Sequence, residues 1–249
     1  MTEEVGSSEV ISAIGLTKRF GALVALDHVD LSIRAGESVT LFGPNGAGKT
    51  TLIRILTLGL RLDDGRLSIA GFDPRKHDIE IRRRIGVISH HSFLYDDLSA
   101  GQNLEFYAKL YGVADPAARS RELLELMGLA HREEDRVGDL SRGLQQRVSV
   151  ARSLVHDPPL LFLDEPFTGL DPQAADRLRA LLGRLREEGR TVILVTHDLR
   201  QGIELGDRWI LLSRGRIVDQ GSTADVDPGR FEEEYSARLS APRNEGARR

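Results

Sequence analysis

The stretch Leu41-Phe42-Gly43-Pro44-Asn45-Gly46-Ala47-Gly48-Lys49-Thr50-Thr51-Leu52 decides the fold. Ser38 to Phe42 is a short apolar run of strand type, and Thr51 to Leu58 carries apolar residues at helical spacing until Gly59 stops it. Between them, Gly43 to Thr50 fits G-x-x-x-x-G-K-[ST]. A glycine-rich turn from strand to helix lets backbone N–H groups converge on phosphate oxygens, and the helix N-terminus adds its partial positive charge. Lys49 is expected to reach the β- and γ-phosphates of a nucleotide, and the Thr50 hydroxyl to hold Mg²⁺. Gly43, Pro44, Asn45, Gly46, Ala47, Gly48, Lys49, Thr50 and Thr51 are thus the candidate contacts to ATP. Ordinary residue frequencies produce the pattern by chance about once in a hundred chains of this length. Here it also sits in the strand-to-helix context that the chemistry needs.

Composition narrows the class further. The chain has 249 residues and 27.5 kDa, room for one well-buried domain or two small ones. With 40% hydrophobic and 29% charged residues it reads as an ordinary globular protein. Cysteine is absent, which excludes disulfides, thiolate catalysis and Cys-ligated metal. A spanning helix needs about twenty apolar residues, and the longest aliphatic runs reach only about four. Met1 to Glu9 is acidic and polar, unlike a secretory signal. A net charge of −4 gives no electrostatic reason to expect nucleic acid as a partner. A cytoplasmic protein is expected.

Working outward, Val10 to Ile14, Leu23 to Leu31, Arg66 to Ala70 and Gly86 to Ser89 read as strands. Helices are expected over Gln102 to Tyr111, Pro116 to Met127 and Ser141 to Val155. Leu160 to Leu163 and Thr191 to Val195 are continuous apolar runs, the mark of strands buried on both faces of a parallel sheet. Between them Pro172 to Glu188 places Leu178, Leu181, Leu182 and Leu185 on one helical face. Strand, helix, strand at these spacings predicts an α/β core with a helical insertion near 94–157. Residues 225–249 read as a charged tail with a short helix.

Leu160-Leu161-Phe162-Leu163-Asp164-Glu165 supplies the second chemical element. A carboxylate at the C-terminal edge of a buried strand lies beside bound phosphates, so Asp164 can hold the metal through water. Glu165 beside it is suited to orient or deprotonate an attacking water. Standing alone, the same pair could be two solvated acids at a strand end; the phosphate loop is what makes the catalytic reading the stronger.

A third stretch, Leu140-Ser141-Arg142-Gly143-Leu144-Gln145-Gln146-Arg147, gives the chain a family likeness. It resembles the LSGGQ signature of ATP-binding cassette (ABC) subunits, with Arg142 and Leu144 replacing the usual Gly and Gln. The resemblance covers about residues 9–224. It implies an α/β fold: a P-loop NTPase core of ABC type with an N-terminal antiparallel β subdomain and an inserted α-helical subdomain. Ser141 and Gly143 match the positions that family members use against the γ-phosphate held by the partner subunit. From the sequence alone, Ser141 is also a good helix N-cap, a role compatible with phosphate binding. Gly169-Leu170-Asp171-Pro172 resembles the D-loop, which implies that Asp171 links two sites, although Asp before Pro is an ideal cap in its own right. His197 resembles the switch histidine that contacts the γ-phosphate and the water. Phe20 resembles the aromatic that stacks on adenine, the bland alternative being a core phenylalanine.

His90 stands where the family has a glutamine that senses Mg²⁺. An imidazole titrates near neutral pH, so coupling is expected to weaken below about pH 6.5. The segment Ser89 to Leu98 with Asn103 to Tyr107 is similar to ATP-binding subunits named haem exporters of bacterial cytochrome c maturation. Direct haem ligation by His90 and His91 is not expected, since adjacent residues point apart. Drug, lipid or polysaccharide export, or import, are the alternatives; a soluble ABC factor in translation or DNA repair fits less well with one cassette and no cysteine. The resemblance implies a homodimer, or a pair with a similar ATPase subunit, holding two ATP head to tail. It also implies separate integral membrane permease subunits, docked near residues 94–110, and a peripheral location at the inner face of the cell membrane.

Overall fold

The computed structural model describes residues 9–89 and 92–240. In chain order the elements are β1 (Glu9–Phe20), β2 (Leu23–Arg34), β3 (Ser38–Phe42), α1 (Lys49–Leu56), β4 (Asp64–Ile69), α2 (Asp78–Arg82) and β5 (Ile85–Ile88). Helices α3 (Ala100–Tyr111), α4 (Pro116–Leu126) and α5 (Arg142–Ser153) follow. Then come β6 (Leu160–Asp164), α6 (Pro172–Glu187), β7 (Thr191–Val195), α7 (Leu199–Leu205), β8 (Arg208–Ser213), β9 (Arg216–Ser222) and α8 (Pro228–Ser240). The chain forms two compact units, one from residues before 79 and after 192, the other from residues 79–192.

The first unit holds an antiparallel sheet of order β2-β1-β4. Its strands alternate, with Ile11, Ala13, Leu16, Leu26, Val29, Leu31 and Ile33 buried and charged residues facing out. That is the period-2 signature of a sheet with one wet face. The same unit contains the strand order β7-β3-β8-β9, with β3 parallel to β8 and β9 antiparallel as the edge. Every residue of β3 and β7 is buried, as their unbroken apolar runs require.

The second unit holds β5 parallel to β6 and the helices α3, α4, α5 and α6. The antiparallel subdomain, the parallel core and the helical segment of the sequence reading are all present. Two features lie outside that reading. Strands β8 and β9 and helices α2 and α7 add to the predicted elements. In the stretch that reads as a charged tail, α8 buries Phe231 completely against Phe42 and Trp209 in the core of the first unit.

Candidate nucleotide site

In the first unit the site is built at the end of β3. The buried strand ends at Phe42, and the loop turns through Gly43 (φ 152°), Gly46 (φ 77°) and Gly48 (φ 105°) before α1 begins at Lys49. A Cβ on Gly43 would stand 2.2 Å from the Leu212 carbonyl oxygen, and one on Gly48 2.5 Å from that of Ala25. Both glycines are needed for backbone geometry and for the close approach of neighbouring strands. The Lys49 ammonium donates to the Gly43 carbonyl at 2.5 Å and to that of Pro44 at 3.1 Å. Helix N-termini elsewhere are closed by side chains: Ser99, Asp115, Ser141, Asp171 and Asp198 cap α3 to α7. Gly48 offers α1 no side-chain cap, so its first amides face the loop.

The loop is braced from behind by residues that no motif singles out. Gly215 donates its amide to the Ala47 carbonyl at 2.8 Å, and a Cβ on Gly215 would lie 2.7 Å from the Ala25 carbonyl oxygen. The signal in the sequence was only Arg214-Gly215, a turn between two unassigned strands. Pro44, Asn45, Gly46 and Thr50 are exposed, Thr51 is half-buried and Ala47 is buried. Phe20 ends β1 and is 48% exposed, which removes the core-phenylalanine alternative, and the Lys18 ammonium lies over its ring, 5.6 Å from the centre. His197 follows β7 and is exposed, just ahead of the Asp198 cap of α7.

In the second unit three of the predicted stretches converge. Asp164 ends β6 with 9% exposure. Glu165 follows in the left-handed region at φ 52°, a strained conformation for a residue with a Cβ. Ser141 caps α5, its hydroxyl accepting from the Leu144 amide at 3.4 Å, and both Ser141 and Arg142 are exposed at the helix start. A Cβ on Gly143 would meet the Gly169 carbonyl oxygen at 2.8 Å, so the start of α5 and the Gly169 turn are close-packed. Gln146 donates to the Pro166 carbonyl at 3.2 Å, and Arg147 lies 3.9 Å from Asp171. Asp171 accepts from the Ala174 amide at 2.8 Å, with Pro172 opening α6. The cap readings of Ser141 and Asp171 are therefore real, and α5 packs through Gly143 and Gln146 against the loop that follows Glu165. His90 lies outside the described residues.

The second unit also exposes an apolar surface beside α3. Phe93, Tyr95, Phe106 and Leu110 are between 40% and 67% exposed. The Tyr95 and Phe106 rings meet edge-on at 5.1 Å, and Tyr107 donates to the Phe93 carbonyl at 2.5 Å.

Residues 26–168 match the family described as ABC transporter. The chain is 40% identical over 221 residues to the daunorubicin resistance ATP-binding protein DrrA3 of Streptomyces coeruleorubidus, covering 86% of this chain and 68% of that protein. It is 38% identical over 229 residues to the Nod factor export ATP-binding protein I of Ralstonia nicotianae, covering 89% of this chain and 70% of that one. Among solved structures it is similar to the dimeric post-hydrolysis state of the ATP-binding cassette MJ0796 bound to ADP and Pi. The TM-score there is 0.80 at 29% identity, over 86% of this chain and 98% of the other. With the glycine-rich loop, the Asp164-Glu165 strand end and the capped helix after Ser141 in the same chain, these likenesses agree: this chain belongs to the ABC transporter family, as an ATP-binding and ATP-hydrolysing subunit.

Proposed function

We propose that two copies of the chain, or one copy and a similar ATPase subunit, bind two ATP between them and drive a separate membrane permease at the inner face of the cell membrane. The observation that carries the nucleotide role is the open N-terminus of α1 behind the Gly43–Gly48 turn, where side chains close the other capped helices. The loop amides and Lys49 take the β- and γ-phosphates, and Phe20 stacks on adenine. Glu165 orients and deprotonates the attacking water, and His197 contacts the γ-phosphate. Ser141 and Gly143 of the second copy close over that phosphate, with Asp171 joining the two sites. Binding closes the pair and hydrolysis reopens it.

Thr50 and Asp164 would hold Mg²⁺, which would supply positive charge to neutralise the phosphates. One hydroxyl and one carboxylate suit an ion that keeps several waters and takes phosphate oxygens. His90 is the further proposed contact of that ion.

A membrane partner is supported by the exposed Phe93, Tyr95, Phe106 and Leu110, a patch of the kind that marks an interaction site. Among the described residues no helix is long and apolar enough to cross a membrane. The relatives named for drug resistance and Nod factor export support a drug, lipid or polysaccharide exporter. A second reading, haem export for cytochrome c maturation, rests on the Ser89–Leu98 and Asn103–Tyr107 stretches.

The test is enzymatic first. Glu165→Gln should lower ATP hydrolysis by about a hundredfold or more, the scale of a lost general base, with ATP binding retained. Hydrolysis within a few-fold of wild type would remove Glu165 from its role. Gentle purification from native membranes then decides the cargo class: a Soret band with small membrane proteins supports haem export, and a larger permease without haem supports the drug, lipid or polysaccharide reading.

A further inference from the structure

No motif gives work to the turn between β8 and β9, yet it is seated between β2 and the phosphate loop. Ser213 pairs with Arg216 across two residues, Arg214 (φ 48°) and Gly215 (φ 75°), both left-handed, the form that closes tight hairpins. Arg214 is exposed and Gly215 is buried. Gly215 is gripped on both sides. Its carbonyl accepts from the Asp27 amide at 2.8 Å, and its amide donates to the Ala47 carbonyl at 2.8 Å. Asp27 holds the turn a second time, through its side chain. The Arg216 guanidinium donates to one carboxylate oxygen, and Nδ1 of His28 lies 2.7 Å from the other. The His28 contact, and after it that of Arg216, hold the Asp27 carboxyl below the usual carboxylate range, so it is charged at neutral pH.

The hydrogen bond to Ala47 fixes a direction within the loop. In a trans peptide the C=O and the N–H of one unit point to opposite sides, and the described residues contain no cis peptide. With the Ala47 carbonyl turned back to Gly215, the Gly48 N–H of the same unit is aimed away from the hairpin, the side left for phosphate. Gly46 and Gly48 both have positive φ, so local sterics alone do not hold that peptide in place. An outside anchor does. The Asp27–Arg216 pair itself is half-exposed, at 25% and 41% for the two side chains, and a pair of that kind adds little to global stability. Its effect is therefore expected in the loop more than in the fold.

We propose that Arg216, paired with Asp27, is a positioning residue for ATP: the pair seats the Gly215 turn, and the turn, through the Ala47 carbonyl, holds the Gly48 amide toward the phosphates. This rests on residues 43–50 being the nucleotide site. Coupling of this kind is reciprocal, so nucleotide must in turn steady the hairpin.

The experiment uses the full chain at physiological ionic strength, mant-ADP as the probe, and the thermal midpoint as a control for structure. Arg216→Glu sets two carboxylates against each other. It should weaken mant-ADP binding and raise the KM for ATP about three- to tenfold, the range that one charged contact supports. Its kcat should stay within about twofold and its midpoint within a few degrees. Asp27→Arg combined with Arg216→Asp reverses the pair at unchanged net charge and should bring affinity back to within about twofold of wild type. A mere loss of positive charge near the phosphates would not be rescued in this way. Affinity equal to wild type in Arg216→Glu, or a reversed pair as weak as Arg216→Glu, overturns the proposal. Failure of the wild type itself to bind mant-ADP would instead remove the nucleotide site on which the proposal rests. If Arg216→Glu proves unstable, amide exchange in the wild type decides: mant-ADP should slow exchange across residues 213–217, and unchanged exchange there overturns the coupling.

Discussion

Gly48 shows how much a single missing Cβ decides. At φ 105° it occupies a region that side chains disfavour, and the Ala25 carbonyl oxygen waits 2.5 Å from where a Cβ would be. Gly46, two residues earlier, has a similar sign of φ at 77° but nothing within 4 Å of its Cβ position. Gly46→Ala should therefore cost only the left-handed penalty, about 1–2 kcal/mol. Gly48→Ala adds a backbone clash and should cost at least about 1 kcal/mol more. Urea unfolding of the two variants checks this; equal losses would mean that the loop relaxes freely and is not braced by Ala25. Glu165 is a residue whose identity the sequence reveals but whose strain it does not. Its φ of 52° is a tertiary property, imposed where the buried β6 ends and the Gly169 turn must reach α5.

At the scale of elements, most of the chain was legible because its punctuation is local. Ser99, Asp115, Ser141 and Asp171 each open a helix, Gly112 closes α3, and the predicted bounds of α4, α6 and β7 agree with the structure to within about a residue. Strands β8 and β9 were not legible. The four apolar residues Trp209 to Leu212 are too few for periodicity to separate strand from helix. Strand β9 is an edge with both faces partly wet, so its pattern is weak. The α5–β6 connection carries a pH dependence that is equally invisible in sequence. His156 stacks on Tyr111 at 3.8 Å, lies 3.0 Å through Nε2 from the Ile85 carbonyl, and leaves Nδ1 buried without a partner. Burial pushes its pKa down from 6.5 to about 4. The unfolded chain then takes up the proton first. Stability from this group is complete above pH 6.5 and is lost as pH falls toward 4, by at most about 1.4 kcal/mol per pH unit. His156→Phe keeps the stack and should flatten the fall in urea-derived stability between pH 6.5 and 4.5. An unchanged slope would show that the imidazole is not held neutral.

For the whole molecule, the candidate stretches were readable and their support was not. The sequence marks Lys49, Asp164, Glu165, Ser141 and His197 as candidates because the proposed chemistry needs fixed residue types at fixed spacing. The braces at Ala25 and Gly215, and the anchoring of α8 through Phe231, depend on which strands lie side by side, and no local pattern encodes that. The central claim concerns two molecules: the ATP held by one copy is closed by Ser141 and Gly143 of another. Light scattering on Glu165→Gln, which should bind ATP without cleaving it, tests this most directly. Without nucleotide the account predicts the 27.5 kDa of one chain, and with saturating Mg·ATP twice that mass. ATP bound at saturation with the mass still that of a single chain would contradict it.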